Sequence, residues 1–135
     1  MTHWPVVGLY AALNVLILFW LTIATGAARR RAGVLIGDGG HPELIRVMRG
    51  HANAIETMPM MFVMLIVAAA MGTPGFVLHA LGLTFTLGRL LHAMHFVNPD
   101  APGWQRGVGF TLGFLAMALL ALGLLGHAAW SLLHG

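Results

Sequence analysis

Apolar residues run along this chain in four long blocks separated by short polar breaks. The first block extends from Pro5 to Ala28 without a charge. The second becomes apolar only after Glu56 and stops near Gly72, which is short for a span. Its helix must therefore begin earlier, near His41, inside a polar stretch. The third block runs from Gly75 to Val97, and the fourth from Trp104 to Leu125 and on toward Leu133. A helix needs about 20 mostly apolar residues to cross a bilayer. The pattern predicts an all-α fold over residues 1–135: a single membrane-embedded domain built as an up-down four-helix bundle.

The breaks are as informative as the blocks. Gly37-Asp38-Gly39-Gly40 is too rich in glycine to stay helical. Pro42 then suits the first turn of a helix, where its missing N–H costs nothing. Glu43 beside it favours the positive end of the helix dipole. Gly72-Thr73-Pro74-Gly75 reads as a tight uncharged turn. Gly82-Leu83 and Gly123-Leu124 read as small-residue packing spots between membrane helices.

Composition agrees with lipid as the main solvent. Hydrophobic residues make up 59% of the chain and charged residues 8%, against about 25% charged in a soluble domain. This excludes an ordinary soluble enzyme, and the absence of Cys excludes a thiol nucleophile, a thiolate metal site or a disulfide supplied by the chain itself. The net charge of +3 comes from seven arginines and four acids. No basic run interleaved with aromatics accompanies it, so nucleic acid is not an expected partner.

The arginines set an orientation. Arg29-Arg30-Arg31 follows the first apolar block, the reverse of a secretory signal. By the positive-inside rule the first loop faces the cytoplasm. Arg46, Arg49 and Arg106 fall on the same side, which leaves both termini outside the cytoplasm. Trp4, Trp104 and Trp130 sit near the expected boundaries, as an aromatic belt requires.

The chemistry concentrates in Arg46–Pro59. At 100° per residue, Arg49, Asn53 and Glu56 share one face within a sector of roughly 60°, with Arg46 at its edge, while His51 points elsewhere. An acid next to an apolar run costs on the order of 2.5–3.5 kcal/mol if it faces lipid near mid-depth. Glu56 should therefore face the bundle and have a partner. Arg89 lies roughly 12 Å of helix rise inside the third block and shares a face with His92 and Phe96. The plainest expectation is a buried Arg89–Glu56 pair. His79 and His127 fall near the outer ends of their helices and could meet. No metal-binding spacing such as His-Glu-x-x-His appears.

Arg49-Gly50-His51-Ala52-Asn53-Ala54-Ile55-Glu56-Thr57-Met58-Pro59 resembles the signature of the MAPEG family, the membrane-associated proteins in eicosanoid and glutathione metabolism. Gly37-Asp38-Gly39-Gly40 and Gly88-Arg89-Leu90-Leu91-His92 look like its bacterial branch, and the resemblance covers nearly the whole chain. It implies a homotrimer in a bacterial inner membrane, with glutathione sites between neighbouring subunits toward the cytoplasm. Arg49, Asn53 and Glu56 would hold the tripeptide, with Glu56 on its amino group. Arg89 and His92 would line the pocket, and Arg106 would be the catalytic, thiol-activating arginine. Lowering a thiol pKa by about two units takes roughly 2.7 kcal/mol of preferential thiolate stabilisation, within reach of one Arg in a low-dielectric cleft. A lipophilic electrophile would arrive from the bilayer.

The chain departs from catalytic members at two places. Phe96 stands where some carry Tyr, and Gly107 where some carry Ser. Tyr10, the one tyrosine, lies near the outer end of the first helix. Activation would then rest on Arg106, with Thr111 as a helper. The leading expectation is a glutathione-dependent transferase or peroxidase. A second is a MAPEG-type trimer that keeps the polar face for packing or for an anionic ligand without turnover. A third is a small b-type cytochrome, which requires His pairs at equal depth, such as His79 with His127 or His51 with His92.

Overall fold

The computed structural model describes residues 3–134; residues 1, 2 and 135 of the expected domain lie outside them. Four α-helices follow in order: α1 Trp4–Ala32, α2 Pro42–Ala70, α3 Gly75–Val97 and α4 Gly103–His134. Each is long and apolar enough to cross a membrane.

Local chemistry sets the ends. α1 and α2 each begin with proline in the first turn, where φ is already helical and no donor is lost. α1 runs one turn beyond its apolar block, so Arg29, Arg30 and Arg31 form its last turn. Cations there meet the negative end of the helix dipole. Gly33 then takes φ 67° and returns its N–H to the carbonyls of Arg29 and Arg30, a left-handed cap that a side chain would oppose. In the first loop Asp38 Oδ1 accepts the Gly40 N–H at 2.9 Å, and Arg29 donates to the Gly37 carbonyl at 2.6 Å. Across the same loop Arg31 pairs with Glu43.

The helices do not close into a square. α3 packs against α1, α2 and α4, whereas α1 and α4 do not touch among the described residues. Small residues make α3 the hub. A Cβ on Gly82 would fall 2.3 Å from the Tyr10 ring, so the glycine lets that ring of α1 seat against α3. A Cβ on Gly88 would fall 2.7 Å from the Gly113 nitrogen, and one on Gly109 2.6 Å from the His92 nitrogen. α3 and α4 therefore meet backbone to backbone. Gly123, expected to pack, has nothing within 4 Å. It lines an open groove shared with Val77 and Leu81 of α3.

The core of Leu21, Met61, Leu65, Leu78 and Phe85 lies between α1, α2 and α3. Of the most apolar stretch of α3, 44% is buried, against 22% for α4. Much of the rest of α4, including Phe114, Leu119, Leu122 and Leu125, is exposed, the surface expected of a helix solvated by lipid.

Candidate functional site

At the arginine-bearing end, the first half of α2, the end of α3 and the start of α4 enclose a cleft of about 890 Å³. Arg49, Asn53 and Glu56 enter it from α2, as the shared helical face requires. His92 and Phe96 enter from α3. Gly103, Arg106, Gly107 and Phe110 enter from α4, with Arg106 close to its start. Five of the six residues singled out from the sequence thus line one cavity. Thr111 is exposed and lies outside it.

Arg89 is the sixth, and its partner differs from the expected one. It makes no ion pair with Glu56; the one salt bridge among the described residues is Arg31–Glu43. Instead Arg89 Nη1 donates to Asn53 Oδ1 at 2.6 Å and to Thr57 Oγ1 at 3.2 Å. Its Nη2 reaches the Gly109 carbonyl at 3.5 Å, and the guanidinium lies 5.6 Å from the Phe85 ring centroid. Asn53 and Thr57 are one turn apart on α2 and both accept from Nη1, while Glu56 is left exposed at the cleft. Arg89 itself is 3% exposed and lines a neighbouring groove rather than the cleft.

This changes what Arg89 does. A guanidinium only donates, so Asn53 Oδ1 must face it. The Asn53 amide nitrogen is then left to offer donors to the cleft. Arg89 acts on the cleft through the orientation of Asn53.

Phe96 is held by its neighbours. A Cβ on Gly50 would fall 2.5 Å from Phe96 Cβ, so α2 comes in closely here. The His92 ring packs on Phe96 with centroids 4.8 Å apart. His51 faces α1 instead, with Nε2 3.1 Å from Thr22 Oγ1. Arg46 leaves the expected sector and bonds carbonyls at the end of α3. The sequence reading missed Gly50, Phe110 and the Gly109–Gly113 pair. Only the last carried a legible signal, since Gly-x-x-x-Gly marks close helix approach.

The histidine pairs that a haem would need are not assembled. The Tyr10 hydroxyl lies 3.1 Å from His79 Nδ1, and His127 lines a groove without His79. His92 lines the cleft without His51.

The cleft therefore presents two guanidinium groups, a carboxylate, an amide donor and an imidazole. Neither Arg49 nor Glu56 has an ion-pair partner among the described residues. Such a set suits a small ligand with several carboxylates and an ammonium group, and the volume lies in the usual range of roughly 300–1,000 Å³ for ligand sites. Beside it, a groove of about 400 Å³ is lined by Met60, Met64, Phe85, Phe114 and Met117, and shares Phe110 with the cleft.

Comparison with known proteins gives a consistent result. The model of the MAPEG family matches residues 7–126. The inner membrane protein YecN of Escherichia coli is 31% identical over 124 residues, 92% of this chain and 93% of that protein. The uncharacterized protein sll1147 of Synechocystis is 31% identical over 130 residues, 96% of this chain and 90% of that protein.

Proposed function

This chain belongs to the MAPEG family, and from that premise we propose that it is a glutathione-dependent transferase or peroxidase acting on lipophilic electrophiles. The observation that carries the proposal is the single cleft holding Arg49, Asn53, Glu56, His92 and Arg106. Glutathione has two carboxylates, an ammonium and a thiol. Arg49 and the Asn53 amide suit its carboxylates, and Glu56 suits its ammonium. When bound, glutathione supplies the thiolate nucleophile. Arg106 would stabilise that thiolate, a role suited to a fixed cation in a cleft of low dielectric.

The adjoining apolar groove supports the second half of the proposal. Its lining is almost wholly hydrocarbon and sulfur around the buried Arg89, so a lipophilic molecule could leave the bilayer there. Phe110 belongs to both cavities, which would bring the two substrates together at its ring. In this reading the protein is a homotrimer in a bacterial inner membrane. The arginine end faces the cytoplasm and both termini lie outside. The Escherichia coli relative is named an inner membrane protein, which supports the membrane assignment.

A second reading is a MAPEG-type protein that binds an anion without turning it over. Phe96 and Gly107 line the cleft and offer no hydroxyl to a sulfur atom. Tyr10 is engaged with His79 on another part of α3.

Isothermal titration of the detergent-purified protein with glutathione separates the two readings from no binding at all. Saturable binding that Arg49→Ala removes is expected. Arg106→Ala should then keep binding but abolish the thiolate absorbance of the complex. Binding without that absorbance in the wild type selects the second reading. No binding at millimolar glutathione removes glutathione from both.

A further inference from the structure

We propose that Arg46 is a positioning residue for Arg106, fixing the loop between α3 and α4 and with it the placement of Arg106 in the cleft. This rests on the thiolate-stabilising role proposed above for Arg106.

Arg46 stands one turn before Arg49 on α2, yet it does not line the cleft. Its guanidinium instead reaches the far end of α3. Nη1 donates to the Pro99 carbonyl at 2.8 Å, and Nη2 donates to the Asn98 carbonyl at 2.8 Å and to the His95 carbonyl. Carbonyls in the last turn of a helix have no partner in their own helix. The same end carries the negative pole of the helix dipole, which favours a cation. Of the three acceptors, the His95 carbonyl lies in the last turn of α3 and those of Asn98 and Pro99 follow its end, so Arg46 ties that turn to the start of the loop.

The tied segment leads straight to Arg106. The connection from Asn98 to Pro102 is short. Its first part is held by Arg46, and the Asp100 N–H bonds Asn98 Oδ1 at 3.1 Å. Its last residue, Pro102, has its carbonyl 3.3 Å from His95 Nδ1. α4 starts at the next residue, and Arg106 follows close behind. α2 therefore sets two walls of the cleft: one directly through Arg49, Asn53 and Glu56, the other through the Arg46 hold on the loop. Lysine would be a poor substitute, because a single ammonium lacks the planar fork that serves several carbonyls at once.

The test uses the full-length protein in detergent with glutathione as probe. The thiol pKa of the complex is read from thiolate absorbance against pH, affinity by calorimetry, and the loop by hydrogen exchange of its amides. In Arg46→Met the thiol pKa should rise by about one unit, so thiolate well below that pKa falls about tenfold. Glutathione affinity should change by less than about twofold, because its proposed holders on α2 remain, while the loop amides should exchange about tenfold faster. Arg46→Lys should give a smaller shift in the same direction, and decides the matter if Arg46→Met does not assemble. A wild-type thiolate signal that stays unchanged in the variants overturns the Arg46 proposal alone. No thiolate signal in the wild type overturns the Arg106 role and this inference with it.

Discussion

Two buried polar clusters in this protein invite comparison. On α3, Arg89 reaches across to Asn53 and Thr57, and Asn53 opens onto the cleft. Farther toward the other end, Asn14 on α1 donates to the Tyr10 carbonyl at 2.9 Å and to Thr86 Oγ1 at 2.7 Å. The Thr86 hydroxyl in turn donates to the Gly82 carbonyl. The second cluster lies against a groove whose other lining residues, including Leu18, Ile55, Met58 and Phe62, are apolar. Both clusters place polar side chains at depth in an apolar helix pack, where each should be costly. Only the first is connected to a cavity with further charged groups. A buried polar residue in a membrane helix points to a site through what it connects to.

The sharpest way to break this comparison is to separate α4 from α3 where the first cluster is framed. In Gly109→Leu the new Cβ would meet the His92 nitrogen at 2.6 Å and the Gly88 carbonyl at 2.7 Å. Backbone cannot yield as a side chain does, so a loss of about 3 kcal/mol is expected from overpacking. Chemical denaturation in detergent measures it, and an unchanged midpoint would refute the backbone contact. Next comes Arg89→Met, which frees the Asn53 amide. Glutathione affinity should fall about tenfold to a hundredfold, matching about 1–3 kcal/mol for a lost buried hydrogen-bond partner. Titration of the double variant with Asn53→Ala should show a less than additive loss; full additivity would separate Arg89 from Asn53.

The second cluster should respond much less. Asn14 Oδ1 is buried with no partner among the described residues, so Asn14→Leu removes an unmet acceptor together with its two donated bonds. Stability should change by less than about 1 kcal/mol, and glutathione affinity should not change. A large loss of affinity would join the two clusters after all. Smallest of all is Gly123→Ala, at a glycine with open space around it. It should raise the unfolding midpoint slightly, by at most about 1 kcal/mol of helix propensity.

Much of this was legible in the sequence. Apolar block lengths located all four helices, because a span has a fixed minimum length. Helical periodicity put Arg49, Asn53 and Glu56 on one face, and the cleft keeps them there. The Arg89 partner was not legible. Asn53 and Glu56 share that face, and which of them meets Arg89 depends on how far α3 slides along α2. Nothing within either helix records that offset. The same holds for the glycines: Gly109 and Gly123 look alike in sequence, but only one faces a neighbouring backbone. The open arrangement also escaped, since short loops dictate adjacency of successive helices but not whether the first meets the last.

That open arrangement bears on the order of synthesis. α1, α2 and α3 touch one another, whereas among the described residues α4 docks on α3 and α2 but not on α1. A nascent chain halted after α3 already carries Arg49, Asn53, Glu56 and His92, but lacks the wall that holds Arg106. The cleft gains that wall only once α4 has docked. A ligand that needs Arg106 therefore finds no complete site before α4 is in place.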